Sequence, residues 1–127
     1  MQPYEWAIVR LVPRVERGEF INVGAIVYCQ SLDFLEAAID LDETRALALD
    51  PGLDMAAVRV HLASIERLCD GSDAGASGDR SQGDRFRWLT APRSTMVQTS
   101  PIHTGLTDDP AAQLRRLMET MVVVGGG

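Results

Sequence analysis

The stretch Tyr4–Tyr28, YEWAIVRLVPRVERGEFINVGAIVY, decides the fold of this chain. It contains two runs, Tyr4–Val12 and Phe20–Cys29, that are rich in the aromatic and β-branched residues typical of strands. Pro13 ends the first run and restricts the residue before it to an extended conformation, while Gly18 tolerates the positive φ angle that suits a turn. The stretch therefore predicts an antiparallel β-hairpin with a charged turn.

A register for this hairpin follows from the need to bury one of its faces. A shift of one residue moves every side chain to the other face, so we prefer the pairing that yields a wholly apolar face. That pairing aligns Val12 with Phe20, Arg10 with Asn22, Ile8 with Gly24 and Trp6 with Ile26. The apolar face, which we expect to pack on helices, consists of Ala7, Val9, Leu11, Ile21, Val23 and Ala25. The other face combines Arg10 and Asn22 with apolar side chains that need more chain or a partner to cover them, namely Trp6, Ile8, Phe20 and Ile26.

Patterns after the hairpin predict a third strand at Phe34–Asp40 and a series of helices. The helices are predicted at Asp42–Leu49, at Met55–Cys69 with Asp54 as N-cap, at Phe86–Leu89, and from Asp109–Pro110 to about Val123. The segment Met96–Leu106 is extended but contains Pro101, which suits an edge strand or an irregular segment. The buried side of the last helix is predicted to carry Leu114, Leu117, Met118 and Met121.

Together these elements predict an α+β fold, with a small antiparallel sheet built on the N-terminal hairpin and helices packed mainly on one face. The length of 127 residues suits a single domain over residues 1–127. The segment Ser72–Asp84, SDAGASGDRSQGD, is dominated by Gly, Ser and Asp and is predicted to be a flexible surface loop.

The composition excludes several functions. The formal charge is −6 and all 12 basic residues are arginine. The negative charge argues against general binding of nucleic-acid phosphate, and a chain without lysine has no Schiff-base lysine and no P-loop lysine. No apolar run approaches the ~18 residues of a membrane span, and the start lacks the basic region of a signal peptide. We therefore expect a cytoplasmic protein with reduced Cys29 and Cys69 and without a cofactor.

The hairpin turn and its flanking strand residues form a candidate recognition patch, which consists of Arg10, Arg14, Arg17, Glu19, Asn22 and Gly24. Arginine offers a planar fork that binds carboxylate or phosphate groups through two hydrogen bonds. Asn22 and Gly24 are both unfavourable in a plain strand, and a glycine there is typical of a site where something approaches the backbone closely. The alternative is a solvated turn held by exposed ion pairs, each contributing ~0–1 kcal/mol.

The sequence contains no complete catalytic or metal-binding motif. His103 is a candidate acid or base, but Ser100 lies too near it in sequence to form a convincing nucleophile–base pair. His61 is predicted to lie on the surface of a helix. The two histidines and the two cysteines lack the spacing of metal ligands, so no metal site is predicted.

The hairpin resembles an uncharacterised bacterial family known as domain of unknown function 3037. The residues that carry the resemblance are Arg10, Pro13, Arg17, Gly18, Glu19, Phe20, Asn22, Val23 and Gly24. The pairs Ser100–Pro101 and Asp109–Pro110, with the helix that follows, are also similar, so the resemblance covers most of the chain outside the Gly/Ser-rich loop. We associate this family with genes for kinases resembling HipA toxins, and the resemblance therefore implies a partner protein.

We expect a non-enzymatic interaction or regulatory module that uses the hairpin as its recognition surface. Its partner would be another protein, such as a HipA-like kinase, or a second copy of the chain. The alternative is a small enzyme acting on an anionic substrate, phosphorylated ones included, which Arg10, Arg14 and Arg17 would hold while Glu19 or His103 moved protons. An enzyme needs a concave pocket at these residues, whereas a module needs a flat or grooved apolar surface.

Overall fold

The computed structural model describes residues 1–72 and 81–123. The described strands are β1 (Gln2–Leu11), β2 (Ile21–Cys29), β3 (Phe34–Ile39), β4 (Val97–Thr99) and β5 (His103–Thr107). The described helices are α1 (Glu43–Leu49), α2 (Met55–Asp70), α3 (Gln82–Thr90) and α4 (Pro110–Leu117). All the strand pairs are antiparallel, and the predicted α+β class is confirmed.

Strand β1 is the centre of the sheet. It pairs with β2 along one edge, and β2 in turn pairs with β3. The other edge of β1 is shared by two short strands, because β5 pairs with its first half and β4 with its last three residues. Met96–Leu106, predicted as an edge strand or an irregular segment, contains two short edge strands separated by an interruption at Pro101.

A β-bulge in β2 changes the register of the hairpin partway along. Arg10 pairs with Asn22 as predicted. The preceding residue of β1, Val9, pairs with Gly24, so Val23 has no direct partner in β1. A bulge inserts one residue into one strand only, which the alternation of apolar residues does not reveal. The predicted pairs beyond the bulge are therefore wrong: Ile8 lies opposite Ala25, not Gly24, and Trp6 lies opposite Val27, not Ile26.

The bulge also decides which side chains share a face of the sheet. On one face, helices α1, α2 and α3 cover a core that includes Val9, Leu11, Ile21, Val23, Ile26 and Tyr28. On the other face, α4 covers Tyr4, Ile8, Ala25, Val27 and Cys29. Three of these four helices thus lie on one face, as the predicted fold requires. We expected Ile8 and Ile26 to lie on a face without helical cover, and this expectation is wrong for both. Ile8 is buried under α4, and the bulge places Ile26 on the face that α1, α2 and α3 cover.

Side-chain caps fix the starts of the helices. Asp42, Asp54 and Asp109 each accept a hydrogen bond from a backbone N–H in the first turn, as expected for N-cap residues. Ser81 does the same for α3, which begins three residues inside the predicted loop Ser72–Asp84. Residues 73–80 of that loop lie outside the described part of the chain.

Helix α4 ends in a π-helical turn, Met118–Val122. A π turn contains one residue more than an α turn, so it rotates the following side chains about the helix axis. Leu114 and Leu117 are buried as predicted, but the prediction for Met121 is wrong: its side chain is 43% exposed, and Val122 is buried instead. Among the described residues, no helix has both the length and the apolar character needed to cross a bilayer.

Gly24 is required by the close approach of β3. A Cβ atom at this position would lie 2.5 Å from the Ala38 carbonyl oxygen and 2.6 Å from Ile39 Cδ1. We predict that Gly24→Ala lowers the free energy of unfolding by ~1–3 kcal/mol, because backbone atoms of β3 cannot move aside cheaply. Urea unfolding measures this effect. Gly52→Ala is the matched control, since its Cβ would meet only Asp50 Oδ1 at 3.5 Å; equal stability of the two variants would contradict the prediction.

Candidate recognition surface

The hairpin turn is a short 3-10 turn, Val15–Arg17, closed by Gly18 in the left-handed conformation. Its two arginines pair with nearby carboxylates: Arg17 Nε donates to the Glu19 carboxylate, and Arg14 Nε lies 3.9 Å from the carboxylate of Asp50, which follows α1. Both arginine side chains are more than half exposed, so these ion pairs contribute little to stability.

The same residues enclose almost no space. The crevice between Arg14, Arg17, Glu19 and the C-terminal end of α1 has a volume of about 10 Å³. Small-molecule sites usually have volumes of several hundred Å³. The turn arginines therefore do not line a substrate pocket.

Arg10 lies in a row of polar side chains across three strands. It pairs with Gln98 of β4 on one side and with Asn22 of β2 on the other. Directly paired residues of antiparallel strands project from the same face, so this row lies on the face that α4 covers. The predicted proximity of Arg10 and Asn22 on one sheet face is confirmed.

The Arg10 guanidinium has an aromatic contact but no acidic partner. Its Cζ lies 4.3 Å from the centre of the Phe20 ring, a cation–π arrangement. Its Nε is buried without a hydrogen-bond partner, and no ion pair joins Arg10 to any described residue. The group therefore keeps its capacity to bind a carboxylate or another anion.

Asn22 anchors the end of α4. Its Nδ2 donates to the Met121 carbonyl oxygen over 3.0 Å, which ties the π-helical turn to β2. This contact holds the Met121 backbone beside Asn22. The Met121 side chain is 43% exposed, and the Phe20 side chain is 44% exposed. We call Arg10, Phe20, Asn22, Gln98 and Met121 the Arg10 surface.

The structure therefore divides the predicted patch. Arg10 and Asn22 belong to the Arg10 surface, Arg14, Arg17 and Glu19 surround the turn beside α1, and Gly24 is buried against β3. Sequence reasoning missed Gln98 and Met121. The π turn that exposes Met121 leaves no local sequence signal, and Gln98 is recognisable only once β4 is paired with β1.

His103 and Ser100 are engaged in structural contacts. The His103 ring stacks on Trp6 with 4.3 Å between ring centres. The Ser100 hydroxyl accepts a hydrogen bond from the Ile8 N–H at 2.9 Å and donates to the Pro101 carbonyl oxygen at 2.9 Å. Trp6 lies four residues from Arg10 along β1, or roughly 13 Å, so His103 is remote from the Arg10 guanidinium.

The thiols are buried in separate parts of the core. Cys29 lies under α4 and Cys69 near the end of α2. Burial raises the pKa of the Cys69 thiol to about 12, which keeps it protonated at neutral pH. In the described parts of the chain, no cluster of three or more His, Cys, Asp or Glu side chains could hold a metal ion.

The fold and this surface define a class of protein: a small α+β domain whose five-stranded antiparallel sheet carries an unpaired arginine at the end of its N-terminal hairpin. A family model described as "Protein of unknown function (DUF3037)" matches residues 6–122, and the chain belongs to this family. No curated protein and no solved structure matches the chain.

Asn22→Ala tests the anchoring role of this side chain. We predict a loss of ~1 kcal/mol in the free energy of unfolding, because the Met121 carbonyl loses its hydrogen bond. Amide hydrogen exchange should also become faster at residues 121–123. Gln98→Ala is the control, since among the described residues the Gln98 side chain hydrogen-bonds to the nearby Thr95 carbonyl and not to α4. Unchanged exchange in Asn22→Ala would show that the contact does not hold the segment.

The buried thiols should be inert in the native protein. With the pKa of Cys69 at about 12, only about one thiol in 10⁴ is ionised at pH 8, and the thiolate is the reactive form. We predict negligible alkylation by iodoacetamide at pH 8, measured by mass spectrometry, and labelling of both cysteines in urea. Rapid labelling of Cys69 without denaturant would contradict this.

Proposed function

We propose that this protein is a non-enzymatic interaction module that binds a partner protein through the Arg10 surface. The observation that carries the proposal is the Arg10 guanidinium, which is stacked on Phe20 and lacks an acidic partner among the described residues. Carboxylates match the planar fork of arginine. The partner would therefore supply an acidic side chain or a terminal carboxylate.

The surroundings of Arg10 support a protein partner rather than a free anion. Phe20, which contacts Arg10, is 44% exposed. Met121, whose carbonyl is bonded to the neighbouring Asn22, is 43% exposed. Arginine, aromatic residues and methionine are enriched in protein interfaces relative to the rest of the surface. A partner that covers these two side chains would also exclude water from the Arg10–carboxylate contact, and this strengthens the contact.

The burial of Arg10 Nε adds an energetic argument. A buried donor without a partner costs ~1–3 kcal/mol, whereas a hydrogen bond to a charged group contributes ~1.5–3 kcal/mol. The contact with the Phe20 ring offsets part of this cost within the domain. A carboxylate from a partner would bind at the terminal nitrogens of Arg10, because the buried Nε has no accessible surface.

The alternative, an enzyme that uses the hairpin arginines, lacks a comparable observation. The crevice at Arg14 and Arg17 has a volume of about 10 Å³, and His103 lies at the other end of the sheet face. Acid–base catalysis requires the proton-transferring group within hydrogen-bond reach of the substrate. The geometry thus favours the interaction module.

The resemblance supplies the first partner to test. A kinase resembling HipA toxins would bring its own acidic segment to the Arg10 surface in the bacterial cytoplasm. Self-association is the second candidate and is measured by light scattering of the purified chain. Both partner assignments depend on the proposed role of Arg10.

Arg10→Met tests the proposal, because methionine preserves the apolar stem and removes the charge. We predict that the free energy of unfolding changes by less than ~1 kcal/mol while partner affinity falls about tenfold or more. The measurements are urea unfolding, quantitative pull-down from native cells, and calorimetry with the captured partner. Phe20→Ala should weaken the same complex.

Arg115→Met is the matched control, since Arg115 is exposed on α4 and makes no ion pair with a described residue. It should bind the partner as the unmodified protein does. If Arg10→Met and Phe20→Ala both retain full affinity, the interface lies elsewhere and the proposal fails.

A further inference from the structure

A second polar site lies at the opposite end of the hairpin. There, the start of β1, the end of β2, β5 and α3 enclose a cavity of about 480 Å³. This volume falls within the range of small-molecule sites, ~300–1,000 Å³. Glu5 is five residues from Arg10 along β1, or roughly 17 Å, and projects from the other face of the sheet. The cavity is therefore separate from the Arg10 surface.

The floor of the cavity is a row of three polar side chains. Thr104 of β5, Glu5 of β1 and Tyr28 of β2 are directly paired, and they share the face covered by α3. Further along this face, β1 carries Ala7, Val9 and Leu11, which are fully buried. A carboxylate and two hydroxyls thus replace apolar side chains where the core reaches the end of the sheet.

Arg87 of α3 neutralises the carboxylate of the floor. Its two terminal nitrogens donate to the two Glu5 oxygens over 2.7 and 2.8 Å. The hydrogen bonds from Arg87 to Glu5 raise the pKa of the guanidinium. Because both terminal nitrogens of Arg87 already donate to Glu5, they are not available to bind an anionic ligand.

The Tyr28 hydroxyl faces the cavity because α3 has a glycine above it. A Cβ at Gly83 would lie 3.0 Å from Tyr28 Oη, so alanine would crowd the hydroxyl. Glycine in a helix costs ~1 kcal/mol relative to alanine, and Gly83 lies in the first turn of α3. The Tyr28 ring is buried against Phe86, while its hydroxyl makes no hydrogen bond with a described residue.

The charge of the cavity is negative. Glu5 and Arg87 cancel one another, and Asp84 lines the wall with a carboxylate that makes no ion pair with a described residue. Gln30 and Ser31 add exposed polar side chains at the rim. The groups left to bind a ligand are therefore hydroxyls, an amide and one carboxylate, that of Asp84, which is exposed in the first turn of α3 and makes no ion pair with a described residue.

We infer that this cavity binds a compact organic cation, an alkylammonium or guanidinium compound. Asp84 would bind the charged group, with the outer lone pairs of Glu5 beside it, and the Tyr28 hydroxyl would accept a further N–H. An anion would have to displace Glu5 from Arg87, and the net charge of −6 opposes its approach. The inference is independent of the proposed role of Arg10.

The test is an NMR titration of the full chain with four probes. These are putrescine and agmatine as cations, 1,4-butanediol as the uncharged analogue of putrescine, and succinate as the anion. We expect both cations to shift the amide signals of Glu5, Tyr28 and Asp84 in a saturable manner. The diol and succinate should bind at least about tenfold more weakly, as expected for loss of a hydrogen bond to a charged group. Failure of both cations to bind, or equal binding of the diol, would overturn the inference.

Variants then locate the site. Asp84→Asn should weaken putrescine binding about tenfold or more by removing the charge at constant shape. Gly83→Ala should also weaken it, by crowding Tyr28. Glu16→Gln removes the same charge at the hairpin turn, outside the cavity, and should leave affinity unchanged. Thermal melting verifies that each variant is folded. Equal affinity of Asp84→Asn and Glu16→Gln would show that binding reflects net charge alone.

Discussion

The bulge at Val23, next to Gly24, is the constraint on which the rest of the structure depends. Without it, Arg10 and Tyr28 would project from the same side of the hairpin, because the uninterrupted register pairs Tyr28 with Tyr4. The additional residue sends Tyr28 to the face covered by α3 and leaves Arg10 on the face covered by α4. Gly24 makes this possible, since any side chain there would collide with the backbone of β3.

Each face of the sheet is covered by helices over most of its length and becomes polar at one end. On the α4 face the polar row is Gln98, Arg10 and Asn22, and on the α3 face it is Thr104, Glu5 and Tyr28. The two rows lie at opposite ends of the sheet and on its opposite faces. Their charges also differ, since Arg10 lacks an acidic partner whereas the cavity near Glu5 has a surplus carboxylate in Asp84. The domain thus has a partly apolar surface around the Arg10 guanidinium and a concave site beside the Asp84 carboxylate.

The sequence was sufficient for features that local chemistry determines. The hairpin, the cap residues Asp54 and Asp109, and the Arg10–Asn22 pair follow from residue type and spacing within a few positions. Gly24 was recognisable as a point of close backbone approach, although not as the approach of β3. The π turn near Met121 and the cavity above Tyr28 were not predictable, because both depend on contacts between segments far apart in sequence. Gly83 is an example of a residue that the local sequence does not explain. Its low helix propensity predicts a loop, whereas in the structure it leaves room for the Tyr28 hydroxyl, 55 residues earlier in the chain.

Ser100 joins β4 and β5 at the middle of β1, through its backbone N–H to the Ile8 carbonyl oxygen and through its hydroxyl to the Ile8 N–H. These two hydrogen bonds attach the junction between the two short strands to the central strand. Strand β4 carries Gln98 and strand β5 carries Thr104, so each polar row includes one residue from this edge segment. Ser100 is buried and makes both hydrogen bonds to the central strand, so the junction between the two strands has a fixed position on β1. One continuous segment of chain therefore supplies one residue to each of the two polar rows, although the rows lie at opposite ends and on opposite faces of the sheet.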